Sequence, residues 1–494
     1  MEFLIFFTVA LPVLLGLVIP LSKMRDRDCV HLHARVSLIA IAIVTVLNNI
    51  MNLGKGCTAL TLPMGLSLSF YVDWLSVMFS VLFTTIWCLV GFYAKEYLKH
   101  EGMDNRFMCF YLIALGCLNG VAYAHNPFTF YTAFEAMTLT SFALVLHSQT
   151  KESIAAAKQY IYYSIFGALS GLIGIMAFYG SDLVTVKAFV PGGSLVVENG
   201  GEMPFVLIVT FIAIIGFSCK AGMFPMHAWL PVAHPEAPAP ASAVLSGLIA
   251  KTGAFAIIRI IYYVVGPQTI RGTWVQQILL VLAITTIFMG SMMAYKEKVL
   301  KRRLAYSSVS QISYALFGIF MLNKIGMTGA ILQIIFHAFA KTSLFLCAGS
   351  VIYKTHRTKV SQLAGLGRAM PKTFALFTLA SMSLVGVPLT GGFESKYFLA
   401  MSALNGTFEI LEFAGLIVIM ISALLTGGYL LSITARALFA NSNEEICENC
   451  ETGKTMFVPI AILVGFVIVF GIWPVPVKFI VENVITSMGI AGGI

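Results

Sequence analysis

The chain alternates between long apolar runs and short polar connections from its first residues to its last. The runs are about twenty residues long, the length of a helix that spans a bilayer and twice that of a barrel strand. Fourteen spans are predicted: 2–21, 35–53, 71–94, 107–124, 127–147, 155–180, 203–225, 238–264, 273–293, 304–323, 326–353, 371–403, 409–436 and 455–483. Two of them look broken. Lys220 is followed by Pro225-Met226-His227-Ala228-Trp229-Leu230-Pro231, and Pro388-Leu389-Thr390-Gly391-Gly392 precedes Lys396. Proline and paired glycine interrupt the helical hydrogen-bond ladder. Irregular backbone at membrane depth is tolerated only where it is buried or lines a wet cavity.

Composition agrees with this pattern. Of 494 residues 59% are hydrophobic and 11% charged, against about 25% charged in a soluble domain. The net charge of +9 reflects loop topology rather than nucleic-acid binding. Loops on one side hold twenty Lys and Arg, and those on the other hold only Lys55, Lys187, Arg271 and Lys324. By the positive-inside rule both termini lie outside a cell membrane crossed many times. The apolar start carries Glu2 and lacks a basic leader, so it reads as a first span. The nine cysteines are scattered, mostly in apolar segments, and behave as small apolar residues. Cys447-Glu448-Asn449-Cys450 has no second ligand pair or nearby histidine to make a metal site. No P-loop or dinucleotide fingerprint is present, and the largest loop, about 181–203, carries no site signature. No cofactor is expected in this chain, and energy must come from an ion gradient or from partner subunits.

The candidate chemistry is the set of charges left inside the spans. Lys158, Lys220, Lys251, Arg259, Lys341, Lys396 and Lys478 lie there with Glu135 and Glu394. A charge near the bilayer middle costs at least about 2.5–3.5 kcal/mol, so several together point to function. Arg259 and Lys478 lie near span ends and are expected to snorkel. Glu135 is the only acid well inside the first half, and Lys220 is its expected partner. At an effective dielectric near 20, unit charges about 4 Å apart attract by about 4 kcal/mol, and at about 8 Å by about 2. Moving the carboxylate would thus switch the proton affinity of the lysine. His337 and Lys341 are four apart and share a helix face, which suits a proton relay. Glu394 and Lys396, two apart, point to opposite faces and are not paired. Glu394 is placed on the irregular turn or against a neighbouring subunit. The two broken helices are five spans apart, which makes a second copy inverted in the membrane. The expected organisation is helices 1–3 (1–106), a first repeat of helices 4–8 (107–264), a second, inverted repeat of helices 9–13 (273–436), and a loop with helix 14 (437–494). Span 10 has no acid to mirror Glu135.

These residues resemble a known family, the antiporter-like proton-translocating subunits. It comprises the homologous membrane subunits of Mrp-type sodium/proton antiporters, of respiratory complex I and of membrane-bound hydrogenases. The resemblance covers nearly the whole chain. It rests on Phe134-Glu135-Ala136-Met137, the run from Lys220 through His227 to Pro238, and Ser246 to Gly253 around Lys251. It also rests on Arg303 to Gln311, His337-Ala338-Phe339-Ala340-Lys341, Gly386-Val387-Pro388 and Gly392-Phe393-Glu394-Ser395-Lys396. The resemblance implies an all-α polytopic membrane protein with two inverted five-helix repeats, two broken helices and a hydrophilic axis through the membrane middle. By position Glu135 and Lys220 are similar to the family's glutamate–lysine pair, Lys251 to its central lysine, His337 and Lys341 to its linking residues, and Lys396 to its terminal charge. Some members carry glutamate at that last position. Lys158, His227 and Glu394 are further candidates. The chain stops without the long lateral helix of one branch.

The expected function is proton translocation within a multisubunit membrane complex, coupled to redox chemistry or cation exchange in partner subunits. Those partners are other antiporter-like and small membrane subunits, or peripheral iron–sulfur or nickel–iron subunits. The alternative is sodium binding by this chain within an Mrp-type antiporter. A lysine-lined axis repels sodium, which favours the proton reading. A quinone-reactive subunit would need haem or cluster ligands that the sequence does not offer, and a passive scaffold would not need these charges.

Overall fold

The computed structural model describes residues 2–63, 66–181, 183–184, 186–196, 200–440 and 450–490. The first half contains α1 (Glu2–Leu21), α2 (Arg27–Asn52), β1 (Gly56–Thr61), β2 (Ser67–Tyr71), α3 (Trp74–Tyr97), α4 (Asp104–Tyr123), α5 (Pro127–Val145) and α6 (Lys151–Tyr179). After these come α7 (Met203–Ala221), α8 (Leu230–Glu236), α9 (Ala239–Val244) and α10 (Lys251–Arg259). The second half contains α11 (Pro267–Ile270), α12 (Trp274–Lys296), α13 (Leu300–Phe320), α14 (Lys324–Thr355), α15 (Leu366–Ala369), α16 (Pro371–Val385), α17 (Gly391–Ala403), α18 (Glu409–Phe439), α19 (Lys454–Ile472) and α20 (Val475–Ser487). The only paired strands among the described residues are the antiparallel β1–β2 hairpin.

Among the described residues, twelve helices are long and apolar enough to cross a membrane, counting 239–265 as one. Two predicted spans fall outside that set for physical reasons. The helix α13 opens on Lys301, Arg302 and Arg303 and continues with buried Ser307, Ser308, Ser310 and Ser313. The twelfth span is split into α16 and α17. Polar side chains close the helix starts: Asp73 accepts from Ser76 N, Asn126 from Thr129 N, Thr150 from Ser153 N and Asn323 from Gly326 N.

The connections sort onto two faces, as alternating spans require. On one, Phe70 bridges to Ala124, Phe189 N donates to His125 O, and Val190 N to Tyr263 O. Ile5 near the start packs with Phe70, Val72 and Tyr123, and Phe479 near the end meets Trp74 edge-on. The first and last described helices therefore reach this lysine-poor face. On the other, Arg27 holds Asp104 and the Lys95 carbonyl, and Leu300 N donates to Thr358 O. The apolar window of α14 and that of the 239–265 helix are entirely buried, whereas in α1, α2, α6, α18 and α19 less than half of it is buried. An all-round apolar helix belongs in the centre of a bundle. The central position of α14 puts His337 and Lys341 at the heart of the molecule.

Three span predictions change. The seventh span stops at Ala221 rather than 225. The fourteenth breaks at Trp473 and Pro474 into α19 and α20, because proline at the junction removes a backbone donor. The eighth contains two π-helical segments, Leu245–Ile249 and Ile260–Val265, flanking α10.

Candidate functional site

The first broken helix ends where Gly222 adopts φ +77°, a conformation that favours glycine. Gly222 N and Met223 N turn back onto the carbonyls of Cys219 and Ser218. This stop places Lys220 in the last turn of α7, 2% exposed. Its Nζ donates to Thr138 Oγ1 (2.9 Å), Tyr160 OH (2.7 Å) and Ser164 Oγ (3.3 Å). An ammonium has three donors, so α5 and α6 occupy them all. Tyr160 OH is also 2.6 Å from Ser141 Oγ.

Glu135, the expected partner of Lys220, forms no direct ion pair with it here. Their closest nitrogen–oxygen approach exceeds the 4.0 Å of an ion pair, since no such pair occurs between these described residues. Thr138, three residues along α5, takes the place the carboxylate would need. Glu135 Oε1 is buried without a hydrogen-bond partner. The two charges still act on each other across the gap.

Lys251 lies just past the first π-helical segment, and its Nζ folds back onto the Ser246 carbonyl. A π-bulge shifts the helix register by one residue, which sets this lysine against its own helix. Ser246 Oγ lies 2.6 Å from Ser308 Oγ of α13. On α14, Lys341 Nζ and His337 Nε2 are buried without hydrogen-bond partners in the protein. His337 lies within the field of Lys251, Lys341 and Lys396. The structure thus gathers these four groups around α14.

The second break follows the same local logic. Gly386, at φ +93°, ends α16, and Val387 N returns to Met382 O. Lys396 lies beyond the break, in α17. Its Nζ reaches back to the Leu384 carbonyl at 2.7 Å, at the negative end of the α16 dipole. Next to it, Ser395 Oγ donates to Gln333 Oε1 (2.7 Å), and Gln333 Nε2 donates to Gln311 Oε1 (2.9 Å). Counting charges does not find Gln333; only packing reveals that α13, α14 and α17 meet there.

Other predicted residues fall elsewhere. Lys158 is exposed on α6 and takes no part in this cluster. His227 is half-buried in the segment between α7 and α8, with Nδ1 unpartnered. Glu394 pairs with Lys478 of α20 at 3.0 Å, so Lys478 does not simply snorkel. Arg259 does not snorkel either. It is 2% exposed, with Nη1 2.6 Å and Nη2 3.1 Å from the Asp73 carboxylate. Cys447 lies outside the described residues, and Cys450 is buried.

Sequence reasoning missed His234 and Asp73. His234 is fully buried, neither ring nitrogen has a partner, and Lys341, Lys301 and Lys251 act on it. Its signal was a histidine between Pro231 and Pro235 in an apolar run. Lys301, assigned to a loop, is buried and donates to Ala237 O at 2.8 Å.

Residues 124–426 match the family described as "NADH:quinone oxidoreductase/Mrp antiporter, TM". The chain belongs to this family. Residues 61–108 match "NADH-Ubiquinone oxidoreductase (complex I), chain 5 N-terminus". An NAD(P)H-quinone oxidoreductase chain 4 of Picosynechococcus is 30% identical over 452 residues, covering 88% of this chain and 82% of that protein. NADH-quinone oxidoreductase subunit N of Desulforudis audaxviator is 30% identical over 80% of this chain and 79% of its own. Among solved structures, a chain of the Mrp complex from Dietzia superposes with a TM-score of 0.84 at 21% identity, covering 99% of this chain and 97% of that one. A chain of respiratory complex I from Thermus thermophilus gives 0.81 at 21% identity, covering 99% and 100%. The expected fold, a polytopic all-helical antiporter-like subunit, is the one found.

Proposed function

We propose that this chain is the proton-translocating, antiporter-like subunit of a multisubunit membrane complex, and that protons move along Glu135, Lys220, Lys251, His337, Lys341 and Lys396. The observation that carries this reading is the burial of Lys220, Lys251, His337 and Lys341, with Lys396 half-buried, and with Lys341 Nζ and His337 Nε2 left without a protein hydrogen-bond partner. Such groups are costly in a low dielectric, and ordered water is their usual partner. A lysine and water path passes protons by uptake and release. Lys220 is the loading point, where the approach or withdrawal of Glu135 changes how tightly the proton is held. His234 and Lys301 extend the charged line toward the lysine-rich face. The driving reaction belongs to partner subunits, and the membrane is the cell membrane with the lysine-rich face inward.

The test is proton uptake by the purified complex in liposomes, comparing the native chain with Glu135→Ala. Loss of coupled uptake in an assembled complex supports the path. Native uptake with Glu135→Ala removes the switch. Sodium-dependent stabilisation of the native complex that disappears in Glu135→Ala would instead favour sodium binding by this chain. Mass spectrometry of the complex isolated in mild detergent identifies the partners. Iron–sulfur or nickel–iron subunits would mean a redox-driven pump, and small hydrophobic antiporter subunits alone would mean a gradient-driven exchanger.

A further inference from the structure

A cavity of about 380 Å³ opens on the lysine-poor face, between the β1–β2 hairpin, the 186–196 segment, the end of α10 and α20. Asp73, His125 and Arg259 supply its charge-bearing groups. The Asp73–Arg259 pair, with Arg259 buried and Asp73 half-buried, lines its floor, and Arg259 Nη2 also donates to Ser76 Oγ at 3.2 Å. One charged atom there, Arg259 Nε, is buried without a partner. His125 sits at its side against Tyr71, rings 5.1 Å apart. Burial pushes this imidazole below the usual histidine range, and Arg259 acts in the same direction.

Beneath the floor lies a dry stack of phenylalanines. Lys251, Phe255 and Arg259 recur every four residues on α10 and so follow one helix face, about 6 Å per step. Phe255 stacks on Phe130 (6.0 Å) and meets Phe79 edge-on (4.6 Å). Phe130 continues to Phe134 (5.6 Å) and Phe217 (5.8 Å). Phe79, Phe130, Phe134, Phe217 and Phe255 are all at most 2% exposed. The stack touches a cation at each end: the Arg259 guanidinium lies 5.2 Å from the Phe255 ring, and Lys220 Nζ 5.7 Å from the Phe134 ring. Apolar rings without polar partners exclude water, and hydrophobic constrictions of this kind gate by dewetting.

We infer that this cavity is the outer water-filled port of the proton path, closed from Lys220 and Lys251 by a phenylalanine gate centred on Phe255 and held shut by the Asp73–Arg259 pair. The pair fixes the end of α10, and with it Phe255 one turn below. This rests on the proposed function above, because a gate has meaning only if Lys220 and Lys251 carry protons. The carboxylate and guanidinium neutralise each other, so the port offers hydrated protons no deep electrostatic trap. Opening moves Phe255 out of the stack and lets water reach the lysines.

The experiment uses the whole complex in liposomes, with no driving substrate present. A potassium diffusion potential draws protons inward, and a trapped pH dye reports the leak. Phe255→Ala and, independently, Phe130→Ala are expected to raise the passive leak by about tenfold. Adding Lys220→Met to Phe255→Ala returns the leak to the native level. Phe255→Leu keeps most of the volume and raises the leak by about threefold; it is read if the alanine forms do not assemble. A native leak in the assembled variants overturns the gate, as does an elevated leak that ignores Lys220→Met. The underlying functional reading fails separately, through native coupled uptake in Lys220→Met alone.

Discussion

The two broken helices share a device but hold their lysines differently. Each breaks at a left-handed glycine, Gly222 or Gly386, whose neighbours turn back onto the last carbonyls. In the first, the lysine precedes the break and is held by hydroxyls from two other helices. In the second, the lysine follows the break and is held by a main-chain carbonyl from its own interrupted span. Side-chain hydroxyls can rotate to follow an ammonium, and one of them, Thr138, lies one turn from Glu135. A carbonyl at a helix end is fixed and carries the helix dipole. On the proposed path, the first lysine would respond to a carboxylate, and the second to movement of the break itself.

The largest expected effect is the loss of the ammonium itself. Lys220→Met is expected to bring coupled proton uptake to background while the complex still assembles, and Lys396→Met to do the same. Uptake that survives only one of these changes would show that one half is dispensable. Next comes the hydroxyl cradle. Tyr160→Phe removes a hydrogen bond from a charged group, worth about 1.5–3 kcal/mol. It is expected to slow uptake by roughly tenfold, and removing a hydroxyl near Lys396 has no counterpart. A smaller effect separates the breaks by backbone. Gly386→Ala puts a side chain into a left-handed position, with strain of about 1–3 kcal/mol. Its Cβ would also sit 2.9 Å from Lys396 Cδ. A lower melting temperature together with impaired uptake is expected. The smallest is Lys478→Ala, which removes the partly exposed partner of Glu394. Such pairs contribute about 0–1 kcal/mol, so thermal stability should barely change and uptake should stay native. A strong loss would place Glu394 on the path.

The helical spans, the two breaks and the buried lysines were legible because each has a one-dimensional signal. Apolar length marks a span, Gly and Pro mark a break, and a charge in an apolar run marks a polar site. The partners of those charges were not legible. Glu135 and Lys220 look like natural partners inside the first-half spans, yet neutral Thr138, Tyr160 and Ser164 take the ammonium's donors. Hydroxyls at span positions are common and carry no charge signal. Arg259 looked like a span-end cation free to snorkel because Asp73 is 186 positions away in sequence. Separations of 22 and 62 positions likewise hid the links of Gln333 to Gln311 and to Ser395. The π-helical turn that sets Lys251 against Ser246 leaves no mark in hydrophobic periodicity. Lys301 and His234 were misjudged because loop boundaries, drawn from hydropathy, put buried groups outside the bundle.

The central claim is that a buried line of protonatable groups carries the transported proton. Lys341 tests it most directly. It lies on the fully buried helix, has no protein hydrogen-bond partner, and forms no ion pair among the described residues. Its replacement by methionine leaves no charge stranded, and packing changes little. The measurement is coupled proton uptake by the assembled complex carrying Lys341→Met, beside the native complex at equal amounts in liposomes. The account predicts uptake no faster than the passive leak, with assembly and partner activity retained. Native uptake in that variant would contradict it.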